Sequence, residues 1–96
     1  MRNLMFTRKG ESRRHRVSVR IHKPFEVQIG DVNFDFSVGT ACCRIQFEGL
    51  DEPDYSVYGV DTLHALELAS NIDPILGTMS KSYDFYFDTG EKYFEE

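Results

Sequence analysis

The chain has 96 residues, of which 41% are hydrophobic and 14% aromatic, and these proportions exclude a disordered tail and predict one folded domain. Its formal net charge is −5, but residues 1–23 carry eight basic side chains and one acid, whereas residues 24–96 carry three basic side chains and fifteen acids. This division is typical of a small protein that binds a charged macromolecule.

The start of the chain predicts neither export nor membrane insertion. Its apolar run, Leu4 to Phe6, is too short for a signal sequence or a membrane span. The two cysteines, Cys42 and Cys43, are adjacent and would point to opposite faces of a strand, so they could not readily form a disulfide. We therefore expect a reduced, cytoplasmic protein without membrane association. Residues 1–13 are expected to be a flexible leader or an edge segment, with an Arg-rich transit peptide as the alternative.

The first predicted strand runs from about residue 14 to residue 23 and has one apolar and one basic face. Its inward side chains are Val17, Val19 and Ile21, and its outward side chains are Arg16, Ser18, Arg20 and His22. Outward charge of this kind protects an edge strand from aggregation. With Arg13 and Arg14 it also resembles a stripe of phosphate contacts, which leaves nucleic-acid binding open.

Further alternation predicts a hairpin and two more strands. Residues 25–36 predict a hairpin around a two-residue turn at positions 30–31, which would place its apolar side chains on one face. Residues 41–48 predict a longer strand and residues 55–58 a short one. Residues 51–54 between them are acidic and contain a proline, so they predict a loop.

One amphipathic helix is predicted from Asp61 to about residue 73, with a short continuation to residue 79. Asp61 is a favourable N-cap, and the leucine, alanine and isoleucine side chains between Ala65 and Ile72 form an apolar stripe. Pro74 cannot continue a straight helix, so a fresh turn is expected to begin there. A closing hairpin is expected around residues 83–94.

Together these elements predict a single α+β domain over residues 1–96. We expect one antiparallel sheet of five to six strands, with the one main helix packed on one face, because a single amphipathic helix needs one apolar sheet face to cover its stripe. Glu95 and Glu96 are expected to be a solvated end.

The sequence contains no pattern typical of a catalytic, metal or cofactor site. His15 and His22 lie on opposite faces of one strand and His64 lies on the polar side of the helix, so no histidine has a catalytic partner at useful spacing. The adjacent cysteines lack the two-residue gap of a zinc site. The acids at 51–54 lack the closing glutamate of a calcium loop. We therefore expect no enzyme, no metal and no cofactor.

The stretch from Gly59 to Ala69 resembles a helix found in a family of small bacterial proteins of uncharacterised activity. That helix opens with Gly, Val or Ile, Asp, Ser or Thr, and Leu, followed by Ala-Leu and Leu-Ala, each after one variable position. The runs His-Lys-Pro at 22–24 and Cys-Arg-Ile at 43–45 are similar to the family's earlier landmarks. The resemblance covers residues 16–80 and implies a fold rather than an activity. His64 stands where most members carry Gln.

Size, acidity and αβ composition also make the chain similar to the immunity proteins that bacteria encode beside polymorphic toxins, including those of contact-dependent growth inhibition. This resemblance implies a monomer or weak homodimer that binds and neutralises a cognate toxin domain. An acidic inhibitor would also associate rapidly with a basic toxin through electrostatic steering. Because tyrosine is a frequent interface anchor, we expect the contact surface where acids lie near tyrosines. These residues are Asp51, Glu52, Asp54, Tyr55, Tyr58, Asp84, Tyr86, Asp88, Glu91 and Tyr93.

Two alternatives from other functional classes stay open. The first is a nucleic-acid-associated regulator that uses the basic N-terminal strand, although the net acidity of the chain and the absence of an aromatic RNA-recognition motif disfavour it. The second is a domain that binds a small ligand.

Overall fold

The computed structural model describes residues 1–94 and contains a six-stranded antiparallel sheet with two short helices. In chain order the elements are β1 (Arg2–Arg8), β2 (His15–Ile21), β3 (Phe25–Glu26), β4 (Ala41–Glu48), β5 (Tyr55–Gly59), α1 (Thr62–Ser70), α2 (Asp73–Thr78) and β6 (Tyr83–Phe87). The small α+β fold predicted from the sequence is therefore confirmed. Glu95 and Glu96, expected to be a solvated end, lie outside the described residues.

The sheet runs β5, β4, β2, β1, β6 from one edge to the other, and every pair is antiparallel. β5 pairs along one edge of β4, where it contacts both Cys42 and Ile45. β3 also pairs with Cys42 and β2 also pairs with Ile45, so β2 and β3 both lie along the other edge of β4. β3 thus continues β2 after the interruption at Pro24. The two helices follow β5 and precede β6, so they carry the chain from one edge of the sheet to the other.

The core lies between one face of the sheet and the helices. Alternate side chains of β1, β2, β4 and β6 point into it, as period-two alternation requires. The sheet contributes Leu4, Phe6, Val17, Val19, Ala41, Cys43, Ile45, Phe47, Tyr83 and Phe85, and the other side contributes Leu50, Ala65, Ala69, Ile72, Ile75 and Leu76. The opposite face of the sheet carries no helix and is polar.

Within residues 1–13, expected to be a flexible leader or an edge segment, Arg2–Arg8 form an interior strand of the sheet. β1 lies between β2 and β6, and Leu4 and Phe6 are each only 1% exposed. Two alternating apolar residues are too weak a signal for a strand, which is why the pattern did not reveal it. β2 is consequently an interior strand, so edge protection does not explain its outward arginines.

Residues 25–36 do not form the predicted hairpin. The turn itself is present: Gly30 has a φ of 100°, which glycine tolerates, and the Asp31 amide donates to the Gln28 carbonyl at 3.0 Å. Regular pairing stops at Glu26, however, and Ile29 is 97% exposed. Within the described residues, no second apolar layer covers the alternating side chains of this segment, and residues 28–39 form a loop. The Val27 amide closes its base by donating to the Thr40 carbonyl at 2.8 Å.

The helices begin where the sequence predicts, but they bury less than expected. Asp61 Oδ1 accepts the backbone N–H of His64 at 2.8 Å and so caps α1, and a second helix starts at Asp73-Pro74. Among the residues of α1, only Ala65 and Ala69 are buried. Leu66 and Leu68 flank this narrow stripe and stay 37% and 42% exposed.

The two outer strands of the sheet differ in how their free edges are covered. The predicted closing hairpin is present: the Phe87 amide donates to the Glu91 carbonyl at 2.7 Å and the Tyr93 amide to the Phe85 carbonyl at 2.9 Å, which covers the outer edge of β6. Within residues 1–94, no strand pairs with the outer edge of β5.

Candidate interaction surfaces

The division of charge along the sequence becomes a division between two sides of the molecule. We call the helix-free face of the sheet the basic face; its outward basic side chains are Lys9, Arg14, Arg16, Arg20, His22 and Arg44. We call the β4–β5 loop, β5 and α1 together the acidic surface. No Lys or Arg occurs among residues 45–80, so this whole stretch contributes no permanent positive charge.

The basic face is built by the register of its strands. Met5 pairs with Arg16 on one side and with Tyr86 on the other, so these three side chains form one outward row. The Arg14 guanidinium lies 4.1 Å from the centroid of the Tyr86 ring, and its Nη1 donates to the Gly90 carbonyl at 3.1 Å. This arrangement places the Arg14 guanidinium over the Tyr86 ring, with Arg16 in the same row on the far side of Met5.

A second arginine–aromatic pair lies at the far end of the same face. The Arg44 guanidinium is 5.4 Å from the centroid of the Phe25 ring, and Phe25 pairs with Cys42. Cys42 in turn pairs with Tyr58, whose ring meets Phe34 edge-on at 5.2 Å. Cys42 therefore points outward as predicted, yet it is only 3% exposed.

Two of the acids on the basic face are neutralised by neighbours, whereas a third, Asp54, lines a small cleft with His22 and Arg44. Lys9 Nζ lies 2.7 Å from Asp84 Oδ1, and Arg20 Nε lies 2.5 Å from Glu48 Oε2. Both pairs are exposed and contribute little to stability. Within residues 1–94, Arg14, Arg16 and Arg44 form no ion pair, so the face keeps a net positive charge.

The acidic surface combines exposed acids with exposed apolar side chains. Asp51, Asp54 and Glu67 are exposed and form no ion pair within residues 1–94. The large exposed apolar side chains of the same segment are Tyr55, Tyr58, Val60, Leu63, Leu66 and Leu68. Val60 and Leu63 are the most accessible of them, at 73% and 63%. Such a concentration of apolar surface in a folded domain is typical of a protein–protein contact.

The first group of predicted contact residues belongs to this acidic surface, but it divides between faces. Tyr58 points to the helix-free face, opposite Cys42, whereas Tyr55 points to the helix side, opposite Ile45. Glu52 lies near Tyr83 of β6. Burial raises the pKa of Tyr83, and the negative charge of Glu52 raises it further.

The second group of predicted contact residues is distributed over three places. Asp84 and Tyr86 lie on the basic face and are engaged by Lys9 and Arg14, and Asp88 and Glu91 lie in and beside the turn after β6. The Tyr93 hydroxyl lies on the helix side, where it donates to Asp73 Oδ1 and accepts from Arg2 Nη1 at 2.8 Å. The structure therefore does not bring the ten predicted residues into one surface.

Sequence reasoning missed the apolar part of the acidic surface. Leu66 and Leu68 were assigned to the core stripe, and Val60 was not singled out. One signal was present: Leu63 falls outside the apolar arc of α1, although it occupies the first turn of an otherwise amphipathic helix.

The cysteine and histidine side chains have structural roles. Cys43 is fully buried and its thiol donates to the His22 carbonyl at 3.2 Å; burial, together with the neighbouring Cys42, raises the pKa of Cys43 and keeps its thiol protonated. His64 Nδ1 accepts the backbone N–H of Val60 at 3.0 Å at the start of α1.

A cleft lies at one edge of the sheet, next to the basic face. The cleft has a volume of about 580 Å³, lies beside β6 and is lined by Lys9, Asp84, Tyr86, Lys92 and Phe94 among others. In the part of the chain that the structure describes, no cluster of three metal-ligating side chains occurs, and no helix is long and apolar enough to span a bilayer. Comparison with protein-family models, curated proteins and solved structures finds no match for this chain.

Proposed function

We propose that the protein is an immunity protein that binds a cognate bacterial toxin domain in the cytoplasm and neutralises it through the acidic surface. One observation carries the proposal: the stretch without Lys or Arg, residues 45–80, is also the stretch that exposes six large apolar side chains. Apolar anchors surrounded by charge are the usual composition of a specific protein interface. Val60 and Leu63 are the most accessible anchors, and the exposed acids Asp51 and Glu67 supply charge on the same stretch.

The separation of charge between two sides supports binding in one orientation. A basic toxin domain is attracted to the acidic surface and repelled by the basic face, so long-range electrostatics orient the encounter before contact. Only attraction at the acidic surface then leads to apolar contacts that slow dissociation.

The proposal is tested with the toxin candidate encoded in the adjacent open reading frame. The purified C-terminal domain of that gene product is the probe, and its association and dissociation rates are measured by biolayer interferometry at low and high salt. We expect tight binding with an association rate that falls as salt screens the charges. We also expect co-expression to protect cells from the toxin domain. Absence of both binding and protection would falsify the immunity function.

Two charge-matched double variants locate the contact. Asp51→Asn/Glu67→Gln removes two negative charges from the acidic surface, and Asp88→Asn/Glu91→Gln removes two from the turn beyond the end of β6. We expect the first to slow association and the second to leave it nearly unchanged. Leu63→Ser should mainly accelerate dissociation. Equal effects of both double variants would reject the acidic surface as the contact while leaving the immunity function standing.

A further inference from the structure

The basic face has the charge, the exposure and the aromatic content of a platform for a polyanion. Its arginines project from the centre of the sheet rather than from an edge, and neither helix covers them. Of the acids on this face, Asp84 and Glu48 are already paired with cations, and Asp54 lines the small cleft beside Arg44. The free positive charge of Arg14, Arg16 and Arg44 is therefore directed at solvent, where it can meet phosphate groups.

The position of the two arginine–aromatic pairs adds specificity beyond charge. Arg14 and Tyr86 stand near one end of β2, and Arg44 and Phe25 stand beyond its other end. The ten residues from Arg16 to Phe25 span roughly 25–30 Å at strand rise, long enough for several nucleotides. Arginine planes and aromatic rings both stack on nucleobases, and an acidic peptide carries no nucleobases for such stacking.

The cleft beside β6 continues the basic face at the edge of the sheet. Lys92 places an ammonium group on its lining, where Lys9 is paired with Asp84, and Tyr86 and Phe94 line it with aromatic rings. Tyr86 thus belongs both to the outward row and to the cleft. A strand lying along the row can place a base in this cleft while a phosphate contacts Lys92.

The shape of the face selects among nucleic acids. Both helices lie on the opposite side of the sheet, so no helix projects from the basic face to enter a duplex groove. An open sheet with aromatic and arginine side chains instead suits unstacked bases. We infer that the basic face binds single-stranded nucleic acid through phosphate contacts and base stacking, independently of toxin binding by the acidic surface.

The test uses the full chain and a fluorescein-labelled oligo-uridine of about 20 nucleotides, longer than a typical single-strand site. Fluorescence anisotropy measures its dissociation constant over a salt series, with a duplex and heparin as competitors. Arg16→Gln/Arg44→Gln removes two charges from the basic face, and Arg8→Gln/Lys81→Gln removes two elsewhere as the matched control. We expect the first pair to weaken binding at least about tenfold and to flatten the logarithmic salt slope by about 1.4, that is 0.7 per lost phosphate contact. The control pair should change neither quantity.

The stacking component is tested by Phe25→Leu and Tyr86→Leu. Each is expected to weaken oligo-uridine binding at least about fivefold while heparin binding stays the same. All variants are compared by thermal unfolding, and the exposed arginine pair keeps the test decisive even if an aromatic variant does not fold. No binding at low salt, equal loss in the control pair, or equal affinity for heparin and duplex would each overturn the inference.

Discussion

Gly59 packs directly against Ala65: a Cβ placed on Gly59 would lie 2.5 Å from the Ala65 backbone nitrogen. β5 ends at this glycine and α1 begins three residues later, so the contact fixes how closely the helix approaches the sheet. The close approach also explains why the fully buried residues of α1 are Ala65 and Ala69, since larger side chains would not fit between helix and sheet.

Gly59→Ala should therefore destabilise the protein by about 3 kcal/mol, because the added methyl group meets helix backbone that has no room to move. Urea unfolding followed by circular dichroism measures the change. Gly77→Ala is the control: its Cβ would meet nothing within 4 Å, and Gly77 lies inside α2, so we expect stabilisation by about 0.5–1 kcal/mol. A Gly59→Ala protein as stable as the parent would show that α1 does not rest on β5 in this way.

Capping, proline positions and long alternation were enough to predict most of the fold. Asp61 and Pro74 marked the helix starts correctly, because both act through local backbone chemistry. The hairpin at residues 25–36 was wrong because alternation indicates which side chains share a face but not whether another layer exists to cover that face. Ile29 shows the consequence, with 97% of its surface exposed.

The interaction surfaces were harder to predict, because they depend on which strands become neighbours. The row of Tyr86, Met5 and Arg16 joins three strands from distant parts of the chain, and β1 was not predicted at all. Tyr93 was assigned to an outer surface by its acidic neighbours, but it contacts Arg2 and Asp73, which lie 91 and 20 residues away in the sequence.

A second prediction concerns the start of α1. His64 donates its backbone N–H to Asp61 and accepts the Val60 N–H at Nδ1, so its ring supplies an acceptor to a backbone donor just ahead of the helix. His64→Gln should be tolerated within about 0.5 kcal/mol, since a Gln side-chain oxygen can accept the same N–H, whereas His64→Leu should cost about 1 kcal/mol. Urea unfolding compares the two variants, and a His64→Leu protein as stable as His64→Gln would contradict this role of the ring.

A third prediction compares Leu76, a buried leucine of α2, with Leu66, a partly exposed leucine of α1. Leu76 is fully buried, so Leu76→Ala should cost about 2–5 kcal/mol through lost burial and a cavity. Leu66 is 37% exposed, so Leu66→Ala should cost only about 1 kcal/mol, less than its place in the predicted stripe suggested. Thermal and urea unfolding of both variants provide the measurement. A larger loss for Leu66→Ala than for Leu76→Ala would reverse the assignment of the two leucines.

Alkaline pH should destabilise the fold through its buried tyrosines. Burial and the hydrogen bond to Asp73 raise the pKa of Tyr93, and burial and Glu52 raise the pKa of Tyr83. The folded state therefore holds these phenolic protons more tightly than the unfolded chain. The resulting stabilisation is complete below the unfolded pKa, near 10, and is lost as pH rises through the folded values.

Tyr93→Phe provides the test of this linkage. The variant should be less stable than the parent at neutral pH, because it leaves Asp73 and Arg2 without their shared partner. Its stability should fall less steeply above about pH 10, because it lacks one of the two tyrosines whose pKa is raised in the folded state. Urea midpoints at about pH 8 and about pH 10.5 measure both effects, and Tyr83→Phe/Tyr93→Phe should flatten the profile further. Parallel loss of stability in the parent and both variants would mean that these tyrosines are not the groups that link unfolding to alkaline pH.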